Sequence, residues 1–291
     1  MKKIFTFFTA ILLLVLNFSC SNNEDDSSSM PNFSYFTLEN ITDYSDPNTA
    51  TSIWMSKGYL NNNKIKEVAS VNSVTNQEYT MLSYTYTNGL LTTQSMAYEF
   101  TNYYYDSQNR LIASYWMDDT SQTSYNRYNY VTTSKVYCEN ITLPYDDPST
   151  QIISRVILEF DSNDNVVKAG LDSNLDGISE SENTFEYTNN NMTAIHFSDG
   201  TETLFQYSNI KDNFTYIYDN SYGKQNRRLL NAIYFTNQNL NYFGFSENLT
   251  QNDVSNSSFV LLGNGYFMNK KSVSVLSNPS AVQTLTIKFF L

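Results

Sequence analysis

Histidine and cysteine are nearly missing from this chain: His196 is the only imidazole, and Cys20 and Cys138 are the only thiols in 291 residues. A structural zinc site takes four His or Cys ligands, so this set excludes one. A Ser-His-Asp triad would have to recruit His196, and no G-x-S-x-G elbow offers a serine to it. Phosphate-cradling glycine loops and clusters of Lys or Arg are missing as well, and Arg227-Arg228 is an isolated basic pair. Seventeen basic side chains face 29 acidic ones, a net charge of −12. Nucleic-acid binding rests on neutralising phosphates with Lys and Arg, so that partner is excluded. An acidic surface suits divalent cations or plain solubility.

The one long apolar run, Ile4 to Leu16, follows Lys2 and Lys3 and precedes Asn17-Phe18-Ser19. This is the three-part layout of an export signal, and the run is shorter than the ~20 residues of a spanning helix. In this setting Cys20 resembles the modified cysteine of a bacterial lipoprotein, with Asn17 where a small or aliphatic residue is usual. The resemblance implies a signal peptide over 1–19, a covalent lipid on Cys20 and attachment to the outer membrane. A diacyl or triacyl group is a durable anchor. Residues Ser21 to Ser29 are polar and acidic, and a tether over 20–32 follows from that composition. Glu24-Asp25-Asp26, so soon after the cysteine, also resembles the export signal of surface-exposed lipoproteins in Bacteroidota. That implies a cell-surface position, with glycans or other surface proteins as partners. With Cys20 lipidated, Cys138 has no partner for a disulfide and reads as a buried, inert thiol.

Residues 33–291 read as a single β domain. Tyr occurs 24 times and Phe 19 times, against only nine Gly and five Pro. Tyr, Phe and Thr favour a pleated, half-buried surface, and Asn tolerates positive φ in turns. No long stretch beyond the signal keeps the i, i+3, i+4, i+7 apolar spacing of a helix. Instead an aromatic-x-aromatic segment recurs, followed by a polar turn and an apolar opener. The copies are Tyr84-Thr85-Tyr86-Thr87-Asn88-Gly89-Leu90, Tyr103 to Leu111, Leu158 to Val166 and Phe185 to Met192, with partial copies at Phe205-Gln206-Tyr207 and Tyr216-Ile217-Tyr218-Asp219. Tyr86 and Tyr105 lie 19 residues apart and Tyr187 and Tyr207 lie 20 apart, the length of one hairpin. The reading is an all-β, antiparallel meander of degenerate hairpins that curls into a barrel or half-barrel, with little helix. Most strands read as too short to span a membrane, and Leu285 to Leu291 alternates like a closing strand.

Tyr105-Asp106-Ser107-Gln108-Asn109-Arg110-Leu111 resembles the tyrosine–aspartate repeat of Rhs-type shells, with Asn109 where that repeat carries Gly. Asp199-Gly200-Thr201 through Phe205-Gln206-Tyr207-Ser208-Asn209-Ile210 resembles a family of Bacteroidota lipoproteins of unknown function with a porin-like fold. That resemblance implies a curved antiparallel sheet and no activity.

The most specific local motif is Asp172-Ser173-Asn174-Leu175-Asp176-Gly177-Ile178-Ser179-Glu180-Ser181-Glu182. Oxygens of Asp172, Asn174 and Asp176, the Ile178 carbonyl, and Glu180 or Glu182 reproduce much of a calcium loop. Asn183 stands where the closing bidentate Glu belongs. A structural Ca2+ is one reading, and a plain polar hairpin turn is the other. Alternation places His196 on the polar face, opposite Ile195 and Phe197. Asp118-Asp119 and Asp146-Asp147 read as turn residues, although a hydrolytic carboxylate pair is spatial and invisible in sequence. Trp54, Trp116 and the tyrosines are core first and sugar platforms second. The sequence therefore favours a non-catalytic surface module that binds or builds, ahead of a glycan-binding accessory or a carbohydrate-active enzyme.

Overall fold

Residues in the left-handed backbone region set the turns. The structure, a computed structural model, describes residues 30–46, 48–97, 99–117, 122–143, 151–232, 246–277 and 280–291. Cys20 with its signal and residues 21–29, and the pairs Asp118-Asp119 and Asp146-Asp147, lie outside the described residues. Asn62-Asn63, Asn88-Gly89 and Asn189-Asn190 have φ between 50° and 82°. Positive φ at both central residues matches a two-residue turn to the right-handed twist of its strands. The copies with an aromatic residue before Asp, Tyr105-Asp106 and Phe160-Asp161, turn over five residues, with Asp106 N donating to Arg110 O (3.0 Å) and Asp161 N to Asn165 O (2.9 Å). Their fourth residues, Asn109 (φ 62°) and Asp164 (φ 59°), tolerate the left-handed region without glycine. The Asp106 carboxylate stabilises its own turn by accepting from Gln108 N (2.8 Å) and Arg110 N (3.0 Å).

Strands β1 (Tyr35–Tyr44), β2 (Ser52–Asn61), β3 (Lys64–Val71), β4 (Glu78–Thr87), β5 (Leu90–Met96), β6 (Glu99–Tyr105) and β7 (Leu111–Met117) follow one another as a meander. It continues through β8 (Gln122–Tyr130), β9 (Lys135–Thr142), β10 (Ile152–Phe160), β11 (Val166–Asp172), β12 (Ser181–Thr188), β13 (Asn191–His196) and β14 (Glu202–Leu204). At the other end β1 also pairs with β19 (Ser280–Phe290), which pairs with β18 (Phe267–Ser277), which pairs with β17 (Ser257–Leu261). The result is one antiparallel sheet of 17 strands, open between β14 and β17. The C-terminal segment is a strand, as its alternation implies, but it lies inside the sheet between β1 and β18 and does not close it. Two short strands, β15 (Tyr207–Lys211) and β16 (Asn248–Thr250), pair with each other at the opening. There the Tyr207 hydroxyl reaches Met192 O of β13 (2.6 Å), and Lys211 N donates to Gly265 O (3.0 Å) in the turn before β18.

Bulges beside the turns bend the sheet, as between Thr85 and Tyr86, Tyr104 and Tyr105, and Glu186 and Tyr187. An extra residue on one strand kinks it and raises the local twist, and repetition on one side gives curvature. The repeat tyrosines lie inside the curve. Two of their hydroxyls, and that of Tyr130 on β8, donate to the carbonyl of an apolar residue at the start of a neighbouring strand: Tyr86 to Ile65 (2.8 Å), Tyr105 to Leu91 (2.8 Å) and Tyr130 to Leu111 (3.2 Å). Tyr105→Phe is expected to cost about 0.5–1.5 kcal/mol in urea unfolding, the net worth of one such bond.

One correction to the sequence reading concerns Tyr216 to Asp219. The Tyr216-Ile217-Tyr218-Asp219 segment is not a hairpin copy but part of helix α1 (Asn213–Tyr222), followed by α2 (Lys224–Asn231). Asp212 caps α1 by accepting from Phe214 N (3.0 Å) and Thr215 N (3.3 Å). Phe214, Ile217, Tyr218 and Ser221 then face the core at i, i+3, i+4 and i+7. The outward Tyr216 between them imitates strand alternation. A third helix, α3 (Gln251–Ser255), follows β16. As for length, most strands have eight residues or fewer, as read, while β1, β2 and β4 have ten and β18 and β19 have eleven.

The helix pair fills the concave side. Ile65 N donates to Ser221 Oγ (2.9 Å) and Leu111 N to Asn226 Oδ1 (3.2 Å), so buried amides at the strand starts are satisfied by the helices. Phe214 packs edge-on to Phe36 (centroids 5.0 Å apart, 89°) and 5.3 Å from Phe289. Packing starts at Met30, which is buried although it belongs to the segment read as tether. The outer face carries the ion pairs Lys57–Glu78, Lys168–Glu182 and Arg127–Glu139.

Candidate functional site

Between α1–α2 and the inner faces of β5 to β9 lies a cavity of about 430 Å3. Its helical floor is made by Tyr218, Tyr222, Arg227, Leu230 and Asn231. Tyr222 stands edge-on to Tyr84 (6.4 Å) and Tyr103 (6.5 Å), and burial pushes its hydroxyl pKa well above the ordinary value. Both Tyr222 and Tyr103 donate to Gln94 Oε1, at 3.2 and 3.1 Å. Across the wall, Asn140 Nδ2 donates to Asn126 Oδ1 (2.9 Å) and Asn126 Nδ2 to Ser114 Oγ (3.0 Å). Thr101, Trp116 and Ser124 complete the sheet side. Trp116 is thus at the cavity, while Trp54 packs against the core elsewhere.

Arg227 is the charged group of this lining. Burial lowers its pKa to about 10, opposed by Asp219, whose Oδ1 is 3.0 Å from Nε. It stays a guanidinium at neutral pH. Asp219 also pairs with Arg228 (3.3 Å), so the basic pair that looked isolated in sequence is a buried ion-pair cluster on α2. No Asp, Glu, His or Cys lines the cavity among the described residues. The floor residues escaped the sequence reading because their helices did. Asp212 followed by apolar residues at helical spacing was the available signal.

The 172–182 motif is a loop on the opposite, outer face. There Arg155 of β10 occupies the middle of the donor set. Its Nη1 donates to Asp172 Oδ2 (2.9 Å) and to Leu175 O (2.9 Å). Asp176 Oδ1 accepts from Ile178 N (2.8 Å), and Asn174 Oδ1 accepts from Asp176 N (2.9 Å). Glu180 accepts from Ser173 N (2.8 Å) and Asn174 N (3.3 Å), while Glu182 pairs with Lys168 (3.0 Å). Among the described residues no group of three or more His, Cys, Asp or Glu is placed to hold a metal ion. In this arrangement the donors do not fit a divalent cation, because a guanidinium and backbone amides take them. Melting in EDTA and in millimolar calcium is expected to give the same Tm to within about one degree. A rise of several degrees would mean that calcium displaces Arg155.

His196 lies on the outer face, as its alternation implies, with Nε2 3.0 Å from Glu186 and Nδ1 3.0 Å from Glu202. These partners are side by side on β12, β13 and β14, away from the cavity. Cys138 is buried on the inner face, where burial drives its thiol pKa far up and leaves it unreactive. Tyr104, Tyr115 and Tyr125 form a row on the outer face. Their rings pack on each other at 5.2 and 5.1 Å, the second pair stacked at 11°.

No protein-family model matches the chain, and no curated protein matches it in sequence. Among solved structures it is similar to a porin-like protein from Bacteroides uniformis, at 8% identity over 91% of this chain and 99% of that one, with a TM-score of 0.26. It is also similar to the Photorhabdus luminescens Tc holotoxin pore, at 14% identity over 83% of this chain and 12% of that one, with a TM-score of 0.32. A TcdB2-TccC3-TEV structure is similar at 13% identity over 77% of this chain and 13% of that one, with a TM-score of 0.31.

Proposed function

We propose that this chain is a non-catalytic binding module, held at the outer-membrane surface by a lipid on Cys20, with the concave cavity as its binding site. The supporting observation is the cavity lining: carboxamides, hydroxyls, aromatic rings and one compensated guanidinium, with no acid, base or nucleophile pair among the described residues. Glycoside hydrolysis needs two carboxyl groups about 5–10 Å apart across a cleft, which this lining does not supply. Hydrogen-bonding groups beside apolar rings are the usual make-up of a small-molecule site. The reading of membership in the Bacteroidota lipoproteins with a porin-like fold belongs to this proposal, and rests on Cys20, the acidic run behind it and the 199–210 segment.

The anchor is tested by metabolic palmitate labelling of the native chain and of Cys20→Ser, followed by proteinase treatment of intact cells. Label that is lost in the variant, on a protein digested from outside, is the expected result. Absence of label overturns the anchor, and label on a protease-protected protein overturns the surface position.

A further inference from the structure

We propose that the cavity between α1–α2 and β5–β9 takes a neutral saccharide, with a sugar ring on Trp116 and its hydroxyls on Gln94, Thr101 and Ser124. The inference rests on the binding-module reading and assigns its ligand class.

Unspent hydrogen-bonding capacity is the first argument. Gln94 Oε1 is taken by two tyrosine hydroxyls, which leaves its carboxamide N–H2 without a partner among the described residues. The Thr101 and Ser124 hydroxyls and the Trp116 indole N–H likewise make no hydrogen bond to a described residue. These residues are half-buried on the cavity wall, so their polar groups are free to meet water or a ligand. Hydroxyls and carboxamides both donate and accept, and so does every hydroxyl of a sugar. The second argument is charge. The lining offers no carboxylate to a cation, which would lose hydration without gaining a counter-charge. An anion would have to compete for Arg227 with Asp219 at 3.0 Å, which Arg228 shares at 3.3 Å, so a neutral ligand is favoured. Shape is the third. Trp116, Tyr218, Tyr222 and Leu230 give apolar surface for the C–H face of a pyranose, and about 430 Å3 suits a saccharide end.

The test is calorimetric titration of the full lipoprotein in detergent micelles. The neutral probes are maltose, cellobiose, lactose and N,N′-diacetylchitobiose; glucuronate and glucosamine are their charged counterparts. At least one neutral probe should bind saturably with Kd below about 1 mM, and the charged sugars about tenfold more weakly. Gln94→Leu and Thr101→Val should each weaken binding about tenfold, by removing a hydrogen bond to the ligand. Ser124→Ala breaks no bond among the described residues and keeps the test readable if Gln94→Leu does not fold. Tighter binding of glucuronate or glucosamine overturns the ligand class and leaves the binding module standing. Saturable binding of a neutral probe that all three variants leave unchanged overturns the placement in this cavity. No saturable binding of any probe overturns the saccharide proposal. The module reading falls with it only if neutral 2-naphthol, titrated against an empty-micelle blank, also fails to bind saturably.

Discussion

Arg155→Ala is expected to destabilise the protein by about 3–5 kcal/mol, the cost of stripping a buried ion pair of one partner. Arg155 joins Glu139 (2.8 Å) to Asp172 (2.9 Å), and those carboxylates are 2% and 0% exposed. Arg127 reaches Glu139 from the solvent side at 2.6 Å, but no second cation reaches Asp172 among the described residues. The guanidinium also covers the Tyr137 ring at 4.9 Å and holds the 172–182 loop down through Leu175 O. Urea unfolding should show a lower midpoint at an unchanged m-value.

The pH dependence of this effect has a definite sign. Burial pushes the Glu139 and Asp172 carboxyls up, but the hydrogen bonds and charges of Arg155, and of Arg127 for Glu139, outweigh it and hold both below their ordinary values. Their contribution is therefore complete above the unfolded-state values near pH 4. It is lost as pH falls through the lower folded values. In Arg155→Ala the same carboxyls are buried with less compensation, so acid relieves the variant while it weakens the native protein. The gap between the two should narrow below about pH 4.

Phe214→Ala is expected to cost about 3–5 kcal/mol as well, through a cavity at the place where α1 meets the sheet. The ring is 2% exposed and lies among Phe36 and Phe289, while Phe289 in turn contacts Phe33 (5.0 Å) and Phe267 (5.5 Å). Phe36 lies flat over Gly58, where any Cβ would collide with its ring, so this cluster has little freedom to collapse. Because Ser221 and Asn226 bond the amides of Ile65 and Leu111, loosening the helices should also show in hydrogen exchange. Those two amides should lose protection by more than amides of β1 and β19 do. Equal loss at all of these sites would mean that the helices and the sheet open as one unit.

The hairpins are legible in sequence because their causes are local. Asn88-Gly89 dictates a two-residue turn, Asp106 stabilises its own loop, and the ring alternation of Tyr84-Thr85-Tyr86 assigns faces within three residues. The helix pair is not local in that sense. Its backbone is stabilised by Asp212, but its identity depends on Phe214 and Ser221 meeting β1 and β3, which lie far away in the chain. The cavity is less legible still, since Gln94, Trp116, Asn140 and Arg227 meet only after the sheet has curled around those helices. At 172–182 the turn residues are visible in sequence, whereas Arg155 enters through strand pairing, directly opposite Asp172.

Entry of the ligand beside Trp116 is directly observable, because the chain has two tryptophans, Trp54 and Trp116. Full lipoprotein grown on 5-fluorotryptophan should give two fluorine resonances, assigned by Trp116→Phe, and is titrated with the neutral saccharide that binds best. The Trp116 resonance is expected to move saturably while the Trp54 resonance stays in place. Movement of Trp54 alone, or of neither while calorimetry still reports binding, would contradict entry beside Trp116.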